Sequence, residues 1–489
     1  MGKVKHYIFV YIFFCIPAYS TYALTGEQIL EQSLVNGGSC SGCHEVEPDP
    51  AHALGCSTCH LGDSLAEDAE SAHANLIVNP AHPSYMDKTC GRCHAQVDRT
   101  RHSLHFTLSN EINTVRTHFG ARDTLETIED IPVTKNPKEI IPLVDDMLRR
   151  RCLRCHVYYR GDRYAETVHG TGCAACHLEY GDGGMLSHRF VKSPPDRQCL
   201  HCHYGNHVGA DFYGRFEHDY KEEFRTPYQP DGAYPPRPYG VEYHQLNPDV
   251  HQKAGMACID CHSGSELMQP VKTSQKISCE SCHLPSSSHV PPAAVERRNT
   301  GLQLTTILSG KTLDIPPATH PAHKAHGNKA ACTVCHAQWS FSDRGVHLLR
   351  LDVEDYDTWE ELIVQSSFEI EMVISNSLYG AGDIIEPIMR DKITGRFEPG
   401  MWLKGFIFRR WEDIPIAPDA AGKLQVMRPI LDLHISYVNS YDEVVFDSFT
   451  PSTKNSGMLP YTPHTIGKAG ALYHNRLVRP EKTEPTSTE

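Results

Sequence analysis

The feature that most constrains this chain is a five-residue motif, Cys-x-x-Cys-His, which occurs nine times between residues 40 and 336. Of the 19 Cys in the sequence, only Cys15 lies outside these motifs. The first cysteines are Cys40, Cys56, Cys90, Cys152, Cys173, Cys199, Cys258, Cys279 and Cys332. The second cysteines are Cys43, Cys59, Cys93, Cys155, Cys176, Cys202, Cys261, Cys282 and Cys335. The histidines that follow them are His44, His60, His94, His156, His177, His203, His262, His283 and His336. Whatever these groups bind must dominate the fold.

Three kinds of site use a Cys-x-x-Cys pair: zinc sites, redox-active dithiols and covalently attached haem. Zinc sites and dithiols need the two thiols but not a histidine directly after them. In haem attachment the thiols bond to carbons on one edge of the porphyrin, and the next residue ligates the iron through its imidazole. An even number of cysteines in an exported chain would also suit disulfides. The histidine in all nine copies excludes these alternatives and predicts nine haem c groups.

Each haem iron has a second axial position, and the chain has more histidines than the anchors use. It contains 31 His against 11 Met, and no Met recurs at a fixed distance from the motifs. We therefore expect mostly bis-His iron, whose reduction potential is lower than that of Met/His iron. The candidate distal ligands lie near anchors: His52, His73, His82, His105, His169, His188, His207, His251, His289, His326 and His347.

The alternative for each of these histidines is a surface position or a hydrogen bond to a haem propionate. The cluster His320-Pro-Ala-His323-Lys-Ala-His326 is expected to supply one or two ligands. His201 stands between two anchoring cysteines, which is an awkward position for a ligand.

The N-terminus predicts export. Basic residues precede a short apolar run, and small residues follow it, so we expect a signal peptide over residues 1–23 that is removed after Ala23. The run is too short to cross a bilayer comfortably. The formal charge of −14 argues against a nucleic-acid partner. We expect the protein in the periplasm, at the outer membrane or outside the cell.

The chain then divides into three further segments. Residues 24–344 are predicted to be a nine-haem domain, in which short helices and loops wrap the porphyrins, and residues 140–151 have helical spacing. Residues 345–479 contain alternating apolar and polar runs, with a hairpin expected at Asn439-Ser-Tyr-Asp, which predicts a separate β-rich domain. Residues 480–489 are predicted to be disordered.

Two local features leave alternatives open. The aromatic connector at 204–243 suits either packing against porphyrins, which we favour, or a substrate pocket beside an open haem. The segment 462–475 resembles the approach to a haem motif in which Gly470-Ala-Leu-Tyr-His474 replaces the anchor. It suits ordinary surface histidines better than a lost tenth site that keeps His464 or His474 as a distal ligand.

The phrases AGMACIDCH (254–262), ISCESCH (277–283) and RHSLHFTL (101–108) resemble those of bacterial multihaem c-type cytochromes of anaerobic and extracellular respiration. A more distant resemblance is to the octahaem hydroxylamine oxidoreductase and tetrathionate reductase group. The resemblance covers residues 40–336. It implies the fold class of a multihaem cytochrome c with short α-helices and loops around a haem chain, here followed by the β-rich domain. Pentahaem nitrite reductases usually carry a Cys-x-x-Cys-Lys anchor, which this chain lacks.

Two hypotheses follow. The first, which the histidine surplus favours, is an electron carrier in which closely spaced haems form a path. Its partners would be other redox cytochromes and an outer-membrane porin, with membrane association only through a partner and docking through patches such as Arg149-Arg-Arg151. The second is an oxidoreductase acting on a small nitrogen or sulfur compound at one haem with an open iron position, whose catalytic residues the sequence does not identify.

Overall fold

The structure is a computed structural model that describes residues 38–207, 209–217, 236–270, 277–286, 291–299, 301–380, 386–429, 431–451 and 457–470. The predicted signal peptide, the predicted disordered tail, His289 and His474 lie outside the described residues. Within the described part, no helix combines the length and the apolarity that crossing a membrane requires.

The helices are short, as expected for a chain that is interrupted by anchors. In chain order they are α1 Ser57–His60, α2 Ala69–Ala72, α3 Val97–Thr100, α4 Leu104–Thr107, α5 Ser109–His118, α6 Ile140–Met147, α7 Ala174–His177, α8 Asp196–His203, α9 Gly209–Phe212, α10 Val250–Ala254, α11 Cys258–Cys261, α12 Gly264–Leu267, α13 Cys279–His283, α14 Pro321–His326, α15 Cys332–His336, α16 Tyr356–Glu361 and α17 Phe368–Tyr379. Single 3-10 turns are Gly38–Gly42, Pro50–His52, Cys90–Arg92 and Ile128–Asp130.

The strands are equally short and form several small sheets. They are β1 Leu178–Gly181, β2 Gly184–Phe190, β3 Arg215–Glu217, β4 Tyr243–Gln245, β5 Val295–Arg298, β6 Gly301–Thr305, β7 Thr312–Ile315, β8 Ser342–Arg344, β9 Val346–Leu351, β10 Ile388–Arg390, β11 Phe397–Pro399, β12 Met401–Gly405, β13 Phe408–Arg410, β14 Ile416–Pro418, β15 Leu424–Pro429, β16 Leu433–Val438, β17 Val444–Phe449 and β18 Met458–Pro460.

The largest sheet lies in the C-terminal segment and has the order β12-β9-β16-β17. Strands β9 and β16 are parallel, and the other two pairings are antiparallel. The predicted hairpin is confirmed, because Asn439 and Glu443 close a turn between β16 and β17. The alternating runs at 430–437 and 443–449 therefore correspond to β16 and β17.

This sheet does not have a core of its own. The largest hydrophobic cluster combines Leu143 and Met147 of α6 with Leu348 of β9, Trp402 of β12 and Ile435 of β16. The β-rich segment thus packs directly against helices from the haem-anchoring part of the chain.

The predicted helix over residues 140–151 is present in two parts. Helix α6 ends at Met147, and a wider π-helical turn, Leu148–Cys152, carries the chain into the fourth anchor. Arg149, Arg150 and Arg151 lie on this turn and are buried, at 3%, 1% and 5% exposure. The proposed docking patch at these arginines is therefore wrong, because the sheet region covers them: Arg149, for example, donates to Asp391.

The described chain forms two compact units. Among the described residues, the first consists of 38–46 and 53–77 and contains the first two anchors. The second consists of the described residues of 47–52 and 78–470 and contains the other seven.

Candidate haem-binding sites

The Cys-x-x-Cys-His motif folds into one helical turn at most anchors. The backbone N–H of the histidine donates to the carbonyl of the first cysteine at 2.9 Å in His44, His60, His94 and His262. Residues three and four apart lie on the same face of a helical turn. The two thiols and the imidazole of each motif therefore point to one side, as attachment to one porphyrin requires.

At least six of the nine anchor histidines face a second imidazole in the part of the chain that the structure describes. The ring centroids are separated by 6.0 Å for His44 and His73, 6.1 Å for His94 and His52, 6.3 Å for His203 and His105, 6.3 Å for His262 and His464, 6.2 Å for His283 and His251, and 6.1 Å for His336 and His323. These separations lie in the outer part of the range for direct ring contacts.

The spacing matches two imidazoles on opposite sides of one metal ion. A metal–imidazole bond of about 2 Å on each side, with about 1 Å from each nitrogen to its ring centre, gives a separation of about 6 Å. The six distances are thus compatible with bis-imidazole ligation. The pairs also combine residues from distant parts of the sequence, such as His262 and His464.

Several anchor imidazoles are oriented by a backbone carbonyl. The Nδ1 of His60 bonds Ile77 O at 2.9 Å and that of His177 bonds Val191 O at 2.8 Å. The Nδ1 of His283 and His336 bond carbonyls at 2.7 and 3.0 Å. Such a bond holds the proton on Nδ1 and leaves Nε2 as the donor to a metal, which is the usual support of a ligating histidine.

Several anchor thiols are exposed in this structure, namely Cys43, Cys93, Cys152, Cys176 and Cys335. An exposed thiol is accessible for attachment to a porphyrin. None of the 18 motif cysteines, all of which are described, forms a disulfide bond.

Thiols from different motifs lie next to each other. The pKa of Cys90 is lowered by Cys173, that of Cys155 by Cys202, that of Cys199 by Cys258 and that of Cys279 by Cys332, which places the two thiols of each pair close together. In the first unit, burial and then the charge of Cys40 raise the pKa of Cys56. Electrostatic interactions also join Cys176 to Cys199 and Cys261 to Cys282. The anchors are therefore neighbours in space.

The structure places four of the predicted distal histidines, His52, His73, His105 and His251, opposite an anchor imidazole. His326 lies exposed at the end of α14, and His323 of the same helix faces the ninth anchor instead. His347 lies on β9, where its Nε2 contacts the Ser436 hydroxyl at 2.8 Å. His188 lies on β2.

Three further candidates lie in aromatic or histidine-rich surroundings. His82 meets the ring of Tyr158 edge-on at 5.7 Å. His169 faces His201, with ring centroids 6.4 Å apart. Burial, and then the charge of His169, lower the pKa of the anchor His156 to about 3. His207 packs edge-on against Phe341 at 3.8 Å. Among the described residues, neither His156 nor His177 has a ring contact with another imidazole.

Sequence reasoning gave low weight to His464 and singled out His326 rather than His323. His464 is deep enough that burial lowers its pKa, and it faces His262. No local signal identifies it, because its partner anchor lies in a distant part of the chain. His323 could have been favoured over His326 only by knowing which face of α14 turns toward His336.

The aromatic connector is described in part. Tyr204 stacks on Tyr239 at 5.4 Å, and the hydroxyl of Tyr243 donates to the carbonyl of Tyr204. These rings belong to a small core that also contacts Cys155 of the fourth anchor. In the described part, the connector thus packs beside an anchor.

In comparisons with protein-family models, curated proteins and solved structures, this chain matches none of them.

Proposed function

We propose that the protein is an exported electron carrier that holds nine covalently attached haem c groups, most of them with bis-His iron. The observation that carries this proposal is the set of six anchor imidazoles that face a second imidazole across 6.0–6.3 Å. Iron with two imidazole ligands has no free coordination position. It can exchange electrons, but it does not bind a substrate without losing a ligand.

The residues of the nine motifs fit haem c. Each motif supplies two thiols for the porphyrin edge and one imidazole for the iron. Neutral imidazole is the ligating form. Burial favours it here, because it lowers the pKa of the anchor His203 to about 4 and that of the facing His105. When bound, the haems supply the one-electron chemistry, and the chain supplies their spacing and ligands.

The proximity of thiols from different motifs supports a path in the second unit, because neighbouring thiols would bring the haem edges that they carry together. Neighbouring thiols link the third anchor to the fifth, the fourth to the sixth, the sixth to the seventh and the eighth to the ninth. Electrostatic interactions alone link the fifth anchor to the sixth and the seventh to the eighth. Redox proteins, and a porin if the path ends outside the cell, are the partners that such a carrier requires.

The test is to produce the chain in a bacterial host that attaches haem c. Pyridine haemochrome absorbance against protein mass should give nine haems per chain. Electron paramagnetic resonance of the oxidised protein should be dominated by low-spin iron. Fewer than nine haems would refute the haem assignment. High-spin iron at the six anchors with facing imidazoles would refute the bis-His carrier.

A further inference from the structure

Two of the histidines that face an anchor imidazole bond a carboxylate through the ring nitrogen on the far side. His251, which faces the eighth anchor, bonds Asp249 Oδ1 through its Nδ1 at 2.8 Å. His52, which faces the third anchor, bonds Asp49 Oδ2 through its Nδ1 at 2.8 Å. The four anchor imidazoles with an oriented Nδ1 bond neutral backbone carbonyls instead. The third and eighth sites therefore differ from these in the charge of the group behind the imidazole.

The carboxylate of Asp249 is buried, at 2% exposure, and both of its oxygens are engaged. Its Oδ1 also accepts from the backbone N–H of His251 at 2.8 Å, at the start of α10. Its Oδ2 accepts from the backbone N–H of Ile466 at 2.6 Å, two residues after His464. The carbonyl of Ile466 in turn accepts from the N–H of Val250 at 2.9 Å. The carboxylate thus has one fixed position from which it accepts the imidazole N–H.

A carboxylate acceptor changes what an imidazole offers to a metal ion. It draws the Nδ1 proton toward itself, which fixes the ring orientation and makes Nε2 a more basic ligand. A more basic ligand stabilises oxidised iron more than reduced iron, so the reduction potential falls. The effect is strong where water does not screen the bond, as at the buried Asp249. Glu266 lies 3.3 Å from Nδ1 of His262, but that imidazole side chain is 42% exposed, so the effect there is weaker.

We propose that Asp249 is a positioning residue that lowers the reduction potential of the eighth haem through His251, and that Asp49 acts in the same way on the third haem through His52. This inference rests on the proposed haem attachment and bis-His ligation at these two anchors. At the neighbouring ninth site, the buried Nδ1 of His323 has no hydrogen-bond partner among the described residues. Asp249 therefore biases electrons from the eighth haem toward the ninth.

The test compares Asp249→Asn with the control Asp260→Asn in the nine-haem protein. Asp260 lies within the seventh motif and is 4% exposed. Its carboxylate accepts from the backbone N–H groups of Ala257 and Ile307, both at 2.7 Å. Each variant loses one buried negative charge, but only Asp249→Asn changes a bond to a facing imidazole.

Electron paramagnetic resonance during a redox titration measures the potentials. The eighth haem is identified by the low-spin signal that His251→Ala removes. In Asp249→Asn, the equilibrium constant for reduction of this haem should rise about tenfold, which is about 59 mV for a one-electron couple. Asp260→Asn should shift the same haem clearly less. Asp49→Asn should raise the potential of the third haem, whose signal His52→Ala removes.

An unchanged potential of the eighth haem in Asp249→Asn overturns the proposal. An equal shift in Asp260→Asn also overturns it, because loss of charge alone would then explain the result. If Asp249→Asn attaches fewer haems, Asp49→Asn decides, and an unchanged third-haem potential is then the contrary outcome.

Haem content is measured first on every variant. Fewer than nine haems in the wild type, or low-spin signals that all persist in His251→Ala, would refute the proposed function at these sites. Nine haems and the expected loss of signal, together with unchanged potentials in the aspartate variants, would refute only the role of the two carboxylates.

Discussion

At the scale of single residues, two histidines on helix α14 distinguish a predicted iron ligand from a histidine that only lies near an anchor in the sequence. His323 faces the anchor His336 at 6.1 Å, and His326, three residues further on, is exposed. We expect His323→Ala to leave the ninth iron with one protein ligand and to convert it to high spin. His326→Ala should leave all irons as they are. Electron paramagnetic resonance of both oxidised variants measures the difference, and a high-spin signal in His326→Ala alone would show that the sequence-based choice was right.

The anchors and the histidines that face them differ in how far the sequence predicts them. The anchors could be recognised in full, because covalent attachment requires two thiols and an imidazole within five consecutive residues. The facing histidines could be recognised only in part. His52 and His73 lie near their anchors in sequence, but His464 reaches His262 through tertiary packing, which has no local signature.

Helix α6 and the π-helical turn after it form the element that joins the haem anchors to the C-terminal sheet. Asp146 accepts hydrogen bonds from Arg150 at 2.7 Å, Arg350 at 3.0 Å and the Trp402 indole at 2.8 Å. Asp146→Ala leaves buried cations without this partner, which costs about 3–5 kcal/mol of folding free energy. Chemical denaturation followed by far-ultraviolet circular dichroism measures this loss.

The matched control for that element is Asp87→Ala, which breaks a surface ion pair with Arg101. A solvent-exposed pair contributes about 0–1 kcal/mol, so the control should unfold almost as wild type does. Equal stability losses in the two variants would contradict the structural role of Asp146.

The helical period of the sequence predicted α6, but not the residues that pack against it. The run Arg149-Arg-Arg151 looks like a surface patch in sequence, because the sheet that buries it comes more than 200 residues later, as in the Arg149 bond to Asp391.

At the scale of the whole molecule, the order of the anchors in space differs from their order in sequence. Cys90 of the third motif lies close to Cys173 of the fifth, and Cys155 of the fourth lies close to Cys202 of the sixth. The sequence order alone would join the third to the fourth and the fourth to the fifth. The fold instead makes the fourth anchor a side branch.

The iron positions in the second unit test this order. In a cryo-electron microscopy structure of the nine-haem protein, the iron of the third haem should be closer to the fifth than to the fourth. The fourth should have the sixth as its nearest neighbour, because the thiol of Cys202 lies close enough to Cys155 to lower its pKa. The distance from the third to the fourth iron is the internal control, since it is short only if haems that are consecutive in sequence are also neighbours in space. A path that runs third, fourth, fifth would contradict the branch, and it would place the fourth haem within the main route of the electrons rather than at the end of a branch.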